Sequence, residues 1–373
     1  MPEKINILYV SHYSHMRMGG QKSMLNLIEM LDRDRFQPFA IVPEHGELSD
    51  ALEKLKCPCE IVPMCNLKFI RAKKIFNLIK SIRKIIKEKN IHIIHSDQDH
   101  DTVICNFAKR KTDTKLIWHV RITRPYKWDR VNFAMADKII MVADDIRHRF
   151  RRNQETIMRK CTTIYNGVNC DLFVPADKHR VRNELNLPKE KFIVLFAGQI
   201  KPGKGIFDLL FALDILHSTM TDDEMPHILY LGTPRNKNVM AELVSLIEGK
   251  KLNNFVSILP QQNNIHKWMQ ASDVLAAPSH EGVEGMGRVL YEAMACGTAV
   301  ITTDISGNRE AVTPETGLIV PEKSPEDIAA AIKKLMNDKE LLTGFEKNGR
   351  KRSLELFDFK TNIRFIEQQY CSV

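Results

Sequence analysis

Residues 192–217 read FIVLFAGQIKPGKGIFDLLFALDILH, and this stretch decides the fold class. Its first part, residues 192–197, is a short apolar run of the kind that forms a strand buried on both faces. A turn rich in glycine and lysine follows, and from residue 206 to 217 the apolar residues have the spacing of an amphipathic helix. A buried strand that leads through a glycine-rich turn into a helix is the unit from which parallel sheets are built.

The same alternation of strand and helix extends along the whole chain. Strands are predicted at residues 5–11, 38–42, 60–63, 91–95, 116–120 and 139–142, and again at 192–197, 228–232, 256–259, 274–277 and 300–303. Helices are predicted at residues 21–31, 72–88, 206–217, 239–248, 288–295 and 325–336. The two series are separated near residues 165–188, which are rich in Asn, Asp and Pro. The prediction is an α/β fold of two doubly wound Rossmann-like domains facing across a cleft, because open parallel sheets bind ligands at the carboxyl ends of their strands.

The composition excludes several classes of protein. Of 373 residues, 43% are apolar and 27% are charged, which excludes collagen-like, mucin-like and largely disordered chains. The longest apolar runs are far shorter than the roughly 18 residues of a membrane-spanning helix, and no secretory signal precedes the first strand. Eight cysteines are too few for a disulfide scaffold, and Cys57, Cys59 and Cys65 lack the further ligands of a zinc site. A cytoplasmic protein is expected.

The positive charge is concentrated in the first half of the chain. Residues 1–166 contain 31 basic and 19 acidic residues, a net charge of +12, whereas the remaining 24 basic and 27 acidic residues give −3. Nine of the basic residues lie between Leu67 and Lys89, interleaved with Ile, Leu and Phe. This pattern is typical of a basic amphipathic helix on a membrane surface, although a core-packed helix with a solvated basic face gives it too. A second basic cluster comprises Arg147, Arg149, Arg151 and Arg152.

An anionic membrane surface is therefore the predicted partner of the first half, at the inner face of the membrane. Nucleic acid is not expected, because the basic segments lack regular aromatic interleaving and a recognised binding motif.

Three strand-to-helix loops carry the residues suited to phosphate and sugar chemistry. Glycines in such loops let backbone amides approach a phosphate at a helix N-terminus. The first loop contains Gly19 and Gly20, and the second spans residues 198–205 with two lysines. The third, residues 278–297, reads PSHEGVEGMGRVLYEAMACG and contains Glu284 and Glu292. Met286 to Val289 open its helix with free amide donors, and a carboxylate slightly further along suits a diol.

These residues resemble glycosyltransferase family 4 of the retaining GT-B glycosyltransferases. Glu284 and Glu292 match the family's E-x7-E signature, and residues 198–205 resemble its G-R-x-x-x-x-K-G loop. The likeness continues in YNGVNCDLFVP at 165–175, in EAMACG at 292–297, in the Thr302-Thr303-Asp304 segment with Gly307 and Glu310, and in the Gly19-Gly20 pair. It covers nearly the whole chain and is strongest in residues 160–325.

The resemblance implies the transfer, with retention, of a hexose or N-acetylhexosamine from a nucleotide sugar, most often UDP-linked. The acceptor would be a glycan or a lipid-linked glycan in cell-surface polysaccharide or lipopolysaccharide synthesis. Residues 167–356 would form the donor domain, and residues 1–166, joined by the C-terminal helix 357–373, the acceptor domain. No cofactor or essential metal is implied, because side chains and a helix terminus neutralise the diphosphate.

The resemblance also assigns roles to individual residues. Lys204 would bind the diphosphate, Glu292 the ribose hydroxyls, and Glu284 the transferred sugar near its reacting face. His119 matches a family histidine near the sugar, so Glu284, His119 and Lys204 are the predicted catalytic residues. Further donor contacts are implied at Gly19, Gly20, Gln199, Met286, Gly287, Arg288 and Val289. Reaction on the front face is expected, with the leaving phosphate helping to take the acceptor's proton and no covalent intermediate.

Two features depart from the family pattern or compete with it. Gln199 stands where the family usually has Arg, so one charged partner of the leaving group is missing, and Arg288, Lys201, Arg121 or Arg17 are candidates to compensate. Glu281 is a rival to Glu284, although only Glu284 has the required offset from Glu292.

The Asp97-Gln98-Asp99 segment suggests a metal site, but it follows a strand of the acceptor domain, where contact with the acceptor is the better hypothesis.

Two functions of other classes remain as alternatives. A sugar-nucleotide epimerase of the same fold is opposed by the paired glutamates. A sugar-nucleotide-binding protein with weak or no transferase activity is suggested by Gln199 and opposed by the presence of Lys204, Glu284 and Glu292.

Overall fold

A computed structural model describes residues 4–16, 19–65, 67, 72–152, 154–283, 285–305 and 307–373. The chain divides into two compact units. The first unit comprises Met1–Gly167 together with Lys360–Val373, and the second comprises Val168–Phe359. The sequence predicts the corresponding divisions after residues 166 and 356.

The first unit is a doubly wound parallel sheet covered by helices. Within the described residues its strands are β1 (Ile5–Val10), β2 (Phe36–Val42), β3 (Cys59–Ile61), β4 (Ile93–Ser96), β5 (Lys115–Val120), β6 (Lys138–Met141) and β7 (Cys161–Thr163). They lie in the order β3-β2-β1-β4-β5-β6-β7, and every neighbouring pair is parallel. The helices are α1 (Gly19–Met30), α2 (Glu47–Lys54), α3 (Ala72–Glu88), α4 (Asp99–Lys109), α5 (Asp129–Met135) and α6 (Gln154–Lys160). Most of the C-terminal helix (Phe359–Cys371) also belongs to this unit.

The second unit repeats the plan. Its strands, as far as the chain is described, are β8 (Ile193–Ala197), β9 (His227–Leu231), β10 (Val256–Leu259), β11 (Val274–Ala277), β12 (Ala299–Thr303) and β13 (Gly317–Val320), in the parallel order β10-β9-β8-β11-β12-β13. The helices are α7 (Lys178–Glu184), α8 (Ile206–His217), α9 (Lys237–Gly249), α10 (Ile265–Ala271), α11 (Arg288–Ala295), α12 (Asn308–Ala311), α13 (Pro325–Asn337) and α14 (Lys339–Leu356), and the C-terminal helix is α15. All five residues of β8 are buried, as expected for a strand covered on both faces.

The two sheets confirm the predicted doubly wound fold and refine its elements. Five predicted elements have the predicted bounds: α3, α8, α11, β10 and β11. β2 begins two residues before Pro38, which the sheet tolerates because β3 pairs only with Ala40 to Val42 and leaves Pro38 beyond its end. The edge strands β7 and β13 were not predicted.

In each sheet the strand order reverses next to the first strand. In the first unit β1 lies between β2 and β4, and in the second β8 lies between β9 and β11. A crevice opens at such a reversal, at the carboxyl ends of the strands, and ligands of doubly wound sheets bind there. The loops after β1 and β4, and after β8 and β11, are therefore the places where a site is expected.

Candidate active site

In the second unit, two glycine-containing loops meet at the reversal of strand order. The lysine loop (residues 198–205) follows β8, and the motif loop (residues 278–287) follows β11. The His280 amide donates a hydrogen bond to the Gly203 carbonyl oxygen over 2.9 Å. His280 Nε2 lies 2.5 Å from Asp208 Oδ2 on the first turn of α8. The motif loop is thus joined to the lysine loop by a backbone hydrogen bond and to α8 by a side-chain contact.

Glycine is required where these backbones touch. Gly205 has φ +71°, and a Cβ atom on it would lie 2.0 Å from the Pro278 carbonyl oxygen. A Cβ atom on Gly232, at the end of β9, would lie 1.8 Å from the carbonyl oxygen of Gly198. Side chains at these positions would force the loops apart. The glycines of the lysine loop therefore set the close approach of the loop to the neighbouring chain segments.

The helix that follows the motif loop is held by a residue that the sequence analysis did not single out. Asn308 is buried, accepts a hydrogen bond from the Gly287 amide over 3.1 Å, and donates one to Thr302 Oγ1 over 2.9 Å. Gly287 is the N-cap of α11 and provides no side-chain cap. Asn308 thus fixes the chain at the point where α11 begins, which is the positive end of the helix dipole.

Arg288 and Glu292 form an ion pair one turn apart on α11. Arg288 Nη2 lies 2.9 Å from Glu292 Oε1, and Glu292 is buried. Burial lowers the pKa of Arg288, but the neighbouring Glu292 carboxylate outweighs this and raises it overall. Arg288, a predicted donor-binding residue, and Glu292, the predicted ribose-binding residue, are therefore in direct contact.

The other predicted donor residues lie on the same loops. Gln199 is exposed, Lys204 and Val289 are partly buried, and Met286 and Gly287 are buried. Glu284 lies outside the described residues. Glu281, its rival, is exposed, and its amide donates a hydrogen bond to Glu322 Oε2 over 2.8 Å.

In the first unit, the predicted glycine pair lies beside a buried ion pair. Gly19 and Gly20 begin α1, and a Cβ atom on Gly20 would lie 3.3 Å from Asp97 Oδ2. Asp97 accepts a hydrogen bond from Arg121 Nε over 3.1 Å, and Arg121 Nη1 donates another to Asn166 Oδ1 over 2.7 Å. Burial raises the pKa of Asp97, and the Arg121 charge opposes that shift.

His119, at the carboxyl end of β5, ends a buried chain of hydrogen bonds. Tyr9 Oη lies 3.1 Å from Tyr370 Oη, which lies 2.7 Å from His95 Nδ1. His95 Nε2 lies 3.1 Å from His119 Nδ1, which Arg121 Nη2 approaches to 3.5 Å. Burial lowers the pKa of His95 to about 3 and that of His119 well below its ordinary value, so both rings are neutral at pH 7.

The direction of this chain follows from the arginine. A guanidinium group only donates, so His119 Nδ1 carries the lone pair and His95 donates to it through Nε2. The Tyr370 hydroxyl then donates to His95 Nδ1 and accepts from Tyr9. The proton of His119 consequently lies on Nε2, a buried atom without a partner among the described residues. His119 is thus neutral, and its Nε2–H group is a donor that none of the described residues accepts.

Asp99, the second aspartate of the Asp97-Gln98-Asp99 segment, is paired with a buried arginine. Arg149 Nη2 lies 2.9 Å from Asp99 Oδ2, and the same guanidinium binds both oxygens of Asp129 at 2.6 and 2.8 Å. Both aspartates of the segment thus have an arginine partner. The sequence predicts Arg149 as part of a second basic cluster, but the structure buries this residue, because two carboxylates and the ring of Trp118 enclose its side chain.

Sequence reasoning missed Asn308, His95 and Tyr370. His95 lies at a predicted strand end four residues before Asp99, where a polar residue indicates a sheet edge facing a site. Tyr370 is 275 residues from His95, and no local pattern connects the two.

Comparison with known families identifies this arrangement. Residues 177–352 match the family model described as Glycosyl transferases group 1, and residues 18–172 match the model described as Glycosyltransferase Family 4. The two doubly wound units and the two family matches place the chain in the class of proteins that has the fold of the GT-B glycosyltransferases. The chain belongs to glycosyltransferase family 4.

Individual relatives agree with the family. D-inositol 3-phosphate glycosyltransferase of Jonesia denitrificans is 31% identical over 195 residues, which cover 50% of this chain and 46% of the relative. The chain thus spans about half the length of the curated relatives it matches. A glycosyltransferase of Rickettsia africae has the same fold with a TM-score of 0.86, 22% identity and 98% coverage of both chains. Anabaena HepE, solved in complex with UDP and glucose, gives a TM-score of 0.82 at 19% identity over 99% of this chain and 100% of its own.

Proposed function

We propose that the protein transfers a sugar from a nucleotide sugar, with UDP as the carrier, to a glycan or lipid-linked acceptor, and that the anomeric configuration is retained. The observation that carries the proposal is the joining of the lysine loop and the motif loop beside the Arg288–Glu292 pair. A diphosphate fits a glycine-rich turn with lysines next to a helix N-terminus, and a ribose diol fits a buried carboxylate. The complex of HepE with UDP and glucose supports UDP as the carrier.

In this proposal residues of the second unit stabilise the negative charge of the leaving group. Breaking the bond between sugar and diphosphate develops negative charge on the phosphate oxygens. Lys204, Arg288 and the first amides of α11 stabilise that charge where it develops. Arg288 supplies the positive charge that the family's usual arginine would supply at position 199. No metal is required at the diphosphate, since cationic side chains and a helix terminus supply the positive charge.

In this proposal a carboxylate group and an imidazole group contact the transferred sugar. Glu284 orients the sugar on its reacting face, and His119, with its proton on Nε2, donates a hydrogen bond to a sugar hydroxyl. The leaving phosphate helps to take the acceptor's proton on the face from which it departs, so that no covalent sugar intermediate forms. A neutral, buried imidazole suits this role because its donor has no competing partner among the described residues.

The donor proposal is tested by ligand-induced thermal shifts. The purified protein is heated with UDP, GDP or ADP, with and without EDTA, and a raised Tm is expected with UDP in both conditions. Lys204→Ala is expected to weaken UDP binding about 10–100-fold, because one charge-assisted hydrogen bond contributes roughly 1.5–3 kcal/mol. Lys237→Ala, an exposed lysine at the start of α9, is the matched control and should leave the shift unchanged.

Transfer itself is tested by product analysis. Incubation with UDP-glucose and an extract of lipid-linked glycans should yield a glycoside with the donor's anomeric configuration, read by NMR. A UDP shift without transfer to any acceptor would favour the sugar-nucleotide-binding alternative. No shift with any of the three nucleotides would contradict the proposed donor site.

We also propose that the first unit docks on an anionic membrane surface. Lys73, Lys74, Lys80, Lys84 and Lys87 of α3 are all exposed. Phe76 lies among them and is 67% exposed, although it is a large apolar residue. Leu78, Ile82, Ile85 and Ile86 are buried, so the second half of the helix packs on its own unit. The described residues include no helix long and apolar enough to cross a membrane, and surface binding through α3 is the mode that these contacts support.

A further inference from the structure

Two histidines and a buried aspartate converge at the reversal of strand order in the first unit. His12 follows β1, and His100 and Asp101 lie on the first turn of α4, which follows β4. One ligand-type atom of each side chain lies within 4.8 Å of the others. The cluster has no part in the donor chemistry proposed above.

The loop that carries His12 is held in place by its neighbours. Ser11 Oγ donates to the Tyr13 carbonyl oxygen over 2.9 Å, and the Leu48 amide donates to the Ser14 carbonyl oxygen over 2.9 Å. Ser14 Oγ donates to Glu44 over 3.0 Å. These contacts bind the loop to the chain segment around α2, so the position of His12 is fixed by the fold.

The distances within the cluster cannot all be hydrogen bonds while Asp101 is ionised. Asp101 Oδ1 lies 3.1 Å from His12 Nδ1 and 3.2 Å from His100 Nε2, and the two nitrogens lie 2.7 Å apart. If both nitrogens carry protons for the carboxylate, two donors face each other at 2.7 Å. If one proton is removed, a nitrogen lone pair faces the carboxylate oxygen instead. Every arrangement leaves one of the three contacts repulsive.

A cation among the three atoms removes this conflict, because all three then present lone pairs to it. Zn²⁺ bonds to histidine nitrogen and carboxylate oxygen are about 2.0–2.2 Å long and tetrahedral, which places ligand atoms about 3.3–3.5 Å apart. The observed separations of 2.7–3.2 Å need only a slight opening of the triangle.

The burial of the Asp101 carboxylate also favours a bound cation. Asp101 is fully buried, and its Oδ2 atom has no hydrogen-bond partner in the described part of the chain. The ion-pair partners described for it are the two histidines alone. An ionised carboxylate in such a position is costly unless a positive charge compensates it.

We propose that His12, His100 and Asp101 bind a divalent transition-metal cation of the Zn²⁺ type, with the remaining coordination position open to water or an anionic oxygen. Two imidazoles and one carboxylate favour Zn²⁺ or Co²⁺ over Mg²⁺ and Ca²⁺, which prefer oxygen ligands. The three residues belong to the first unit and the lysine loop belongs to the second, so the proposal does not rest on the proposed donor chemistry.

Cobalt is the probe that reports both the binding and the ligand type. The full-length protein, free of any histidine tag and treated with EDTA, is dialysed and titrated with Co²⁺ at pH 7. We expect one Co²⁺ per chain, visible absorption of the intensity typical of four-coordinate Co²⁺, no thiolate charge-transfer band, and loss of the signal on addition of Zn²⁺. His100→Gln should lower the affinity by at least about 10–100-fold, since a lost ligand costs no less than a lost second-shell contact.

Two further variants make the result decisive. Asp101→Asn keeps the shape of the buried side chain and should also abolish the cobalt spectrum, and His148→Gln, an exposed histidine beside Asp145, should leave it unchanged. The far-ultraviolet circular dichroism spectrum and the thermal unfolding curve of each variant show whether it is folded. If Asp101→Asn does not fold, His100→Gln alone decides. An unchanged spectrum in His100→Gln, a thiolate band, or no cobalt binding by the unsubstituted protein would overturn the proposal.

Discussion

At the scale of single residues, the buried chain from Tyr9 to His119 shows how the fold controls a proton. Arg121 assigns the lone pair of His119 to Nδ1, and His95 and Tyr370 complete a consistent set of donors and acceptors. Because both imidazoles are buried, their neutral forms are strongly favoured. The same burial makes the first unit sensitive to acid.

We predict that the stability of the first unit falls as the pH decreases below about 6.5. Below that value an unfolded chain protonates its histidines, whereas folded His95 remains neutral down to a pKa of about 3. The unfolded state thus binds more protons, and each such histidine lowers the free energy of unfolding by about 1.4 kcal/mol per pH unit within this window. His95→Gln should reduce the slope by about one proton, although it also lowers stability at pH 7.

This slope is measured by urea unfolding at several pH values, followed by tryptophan fluorescence. A Trp268→Phe background leaves Trp118 and Trp128, both of which lie in the first unit. His148→Gln should retain the full slope, because the His148 side chain is 78% exposed. An unchanged slope in His95→Gln would show that this histidine is not held neutral.

At the scale of structural elements, the candidate donor site depends on how two loops pack, not on the strands that precede them. The lysine loop and the motif loop are joined through Gly203, Gly205, Pro278 and His280. Glycine at 205 serves two purposes, since φ is positive and the Pro278 carbonyl leaves no room for a Cβ atom.

We predict that Gly205→Ala destabilises the second unit by roughly 2–4 kcal/mol, the range of substitutions that impose backbone strain and a clash. It should also abolish the UDP-induced thermal shift, because the loops can no longer approach. Calorimetry and the shift assay measure the two effects.

Gly249→Ala is the matched control for that substitution. A Cβ atom on Gly249, at the end of α9, meets nothing within 4 Å. This change should leave UDP binding intact and alter stability by no more than about 1 kcal/mol. Equal effects of the two substitutions would show that the loop contact at Gly205 is unimportant.

At the scale of the whole molecule, the charge is divided between the two halves of the sequence. The net charge of +12 in residues 1–166 includes Arg149 and Arg121, which are enclosed by carboxylates and amides. The exposed lysines of α3 therefore make a large contribution to the field outside the first unit. Long-range attraction to an anionic surface depends on such exposed charge.

We predict that the protein co-sediments with vesicles of phosphatidylglycerol and phosphatidylcholine and not with phosphatidylcholine alone. Lys73→Gln combined with Lys74→Gln should weaken binding about 30-fold, at about 1 kcal/mol for each lysine near the surface. Phe76→Ser should weaken it about 10-fold or more through lost apolar burial.

Phe365→Ser is the control for the aromatic substitution, because Phe365 is 46% exposed on α15, away from the α3 lysines in the sequence. Binding to phosphatidylcholine alone with the same affinity, or equal losses in Phe76→Ser and Phe365→Ser, would contradict docking through α3.

Much of the fold could be predicted because its signals are local. Residues 274–277 have the bounds of β11, since a buried strand in the middle of a parallel sheet is apolar throughout and flanked by turns. β7 and β13 were not predicted, and the structure defines each of them through its pairing with a neighbouring strand. Arg149 was misjudged for a related reason. A charged residue in a basic run appears exposed until Asp99 and Asp129 are brought to it by the sheet.

The sequence by itself determined the fold class and the family of the protein, and it predicted the candidate donor residues. Strand and helix periods, glycines at turns and the spacing of Glu284 and Glu292 are short-range properties that a chain carries before it folds. Only the tertiary structure decided which side chains share a proton or a charge. Asn308 reaches Gly287, and His12 meets His100 and Asp101, because parallel sheets bring the ends of distant strands to one edge. Tyr370 reaches His95 because the C-terminal helix belongs to the first unit.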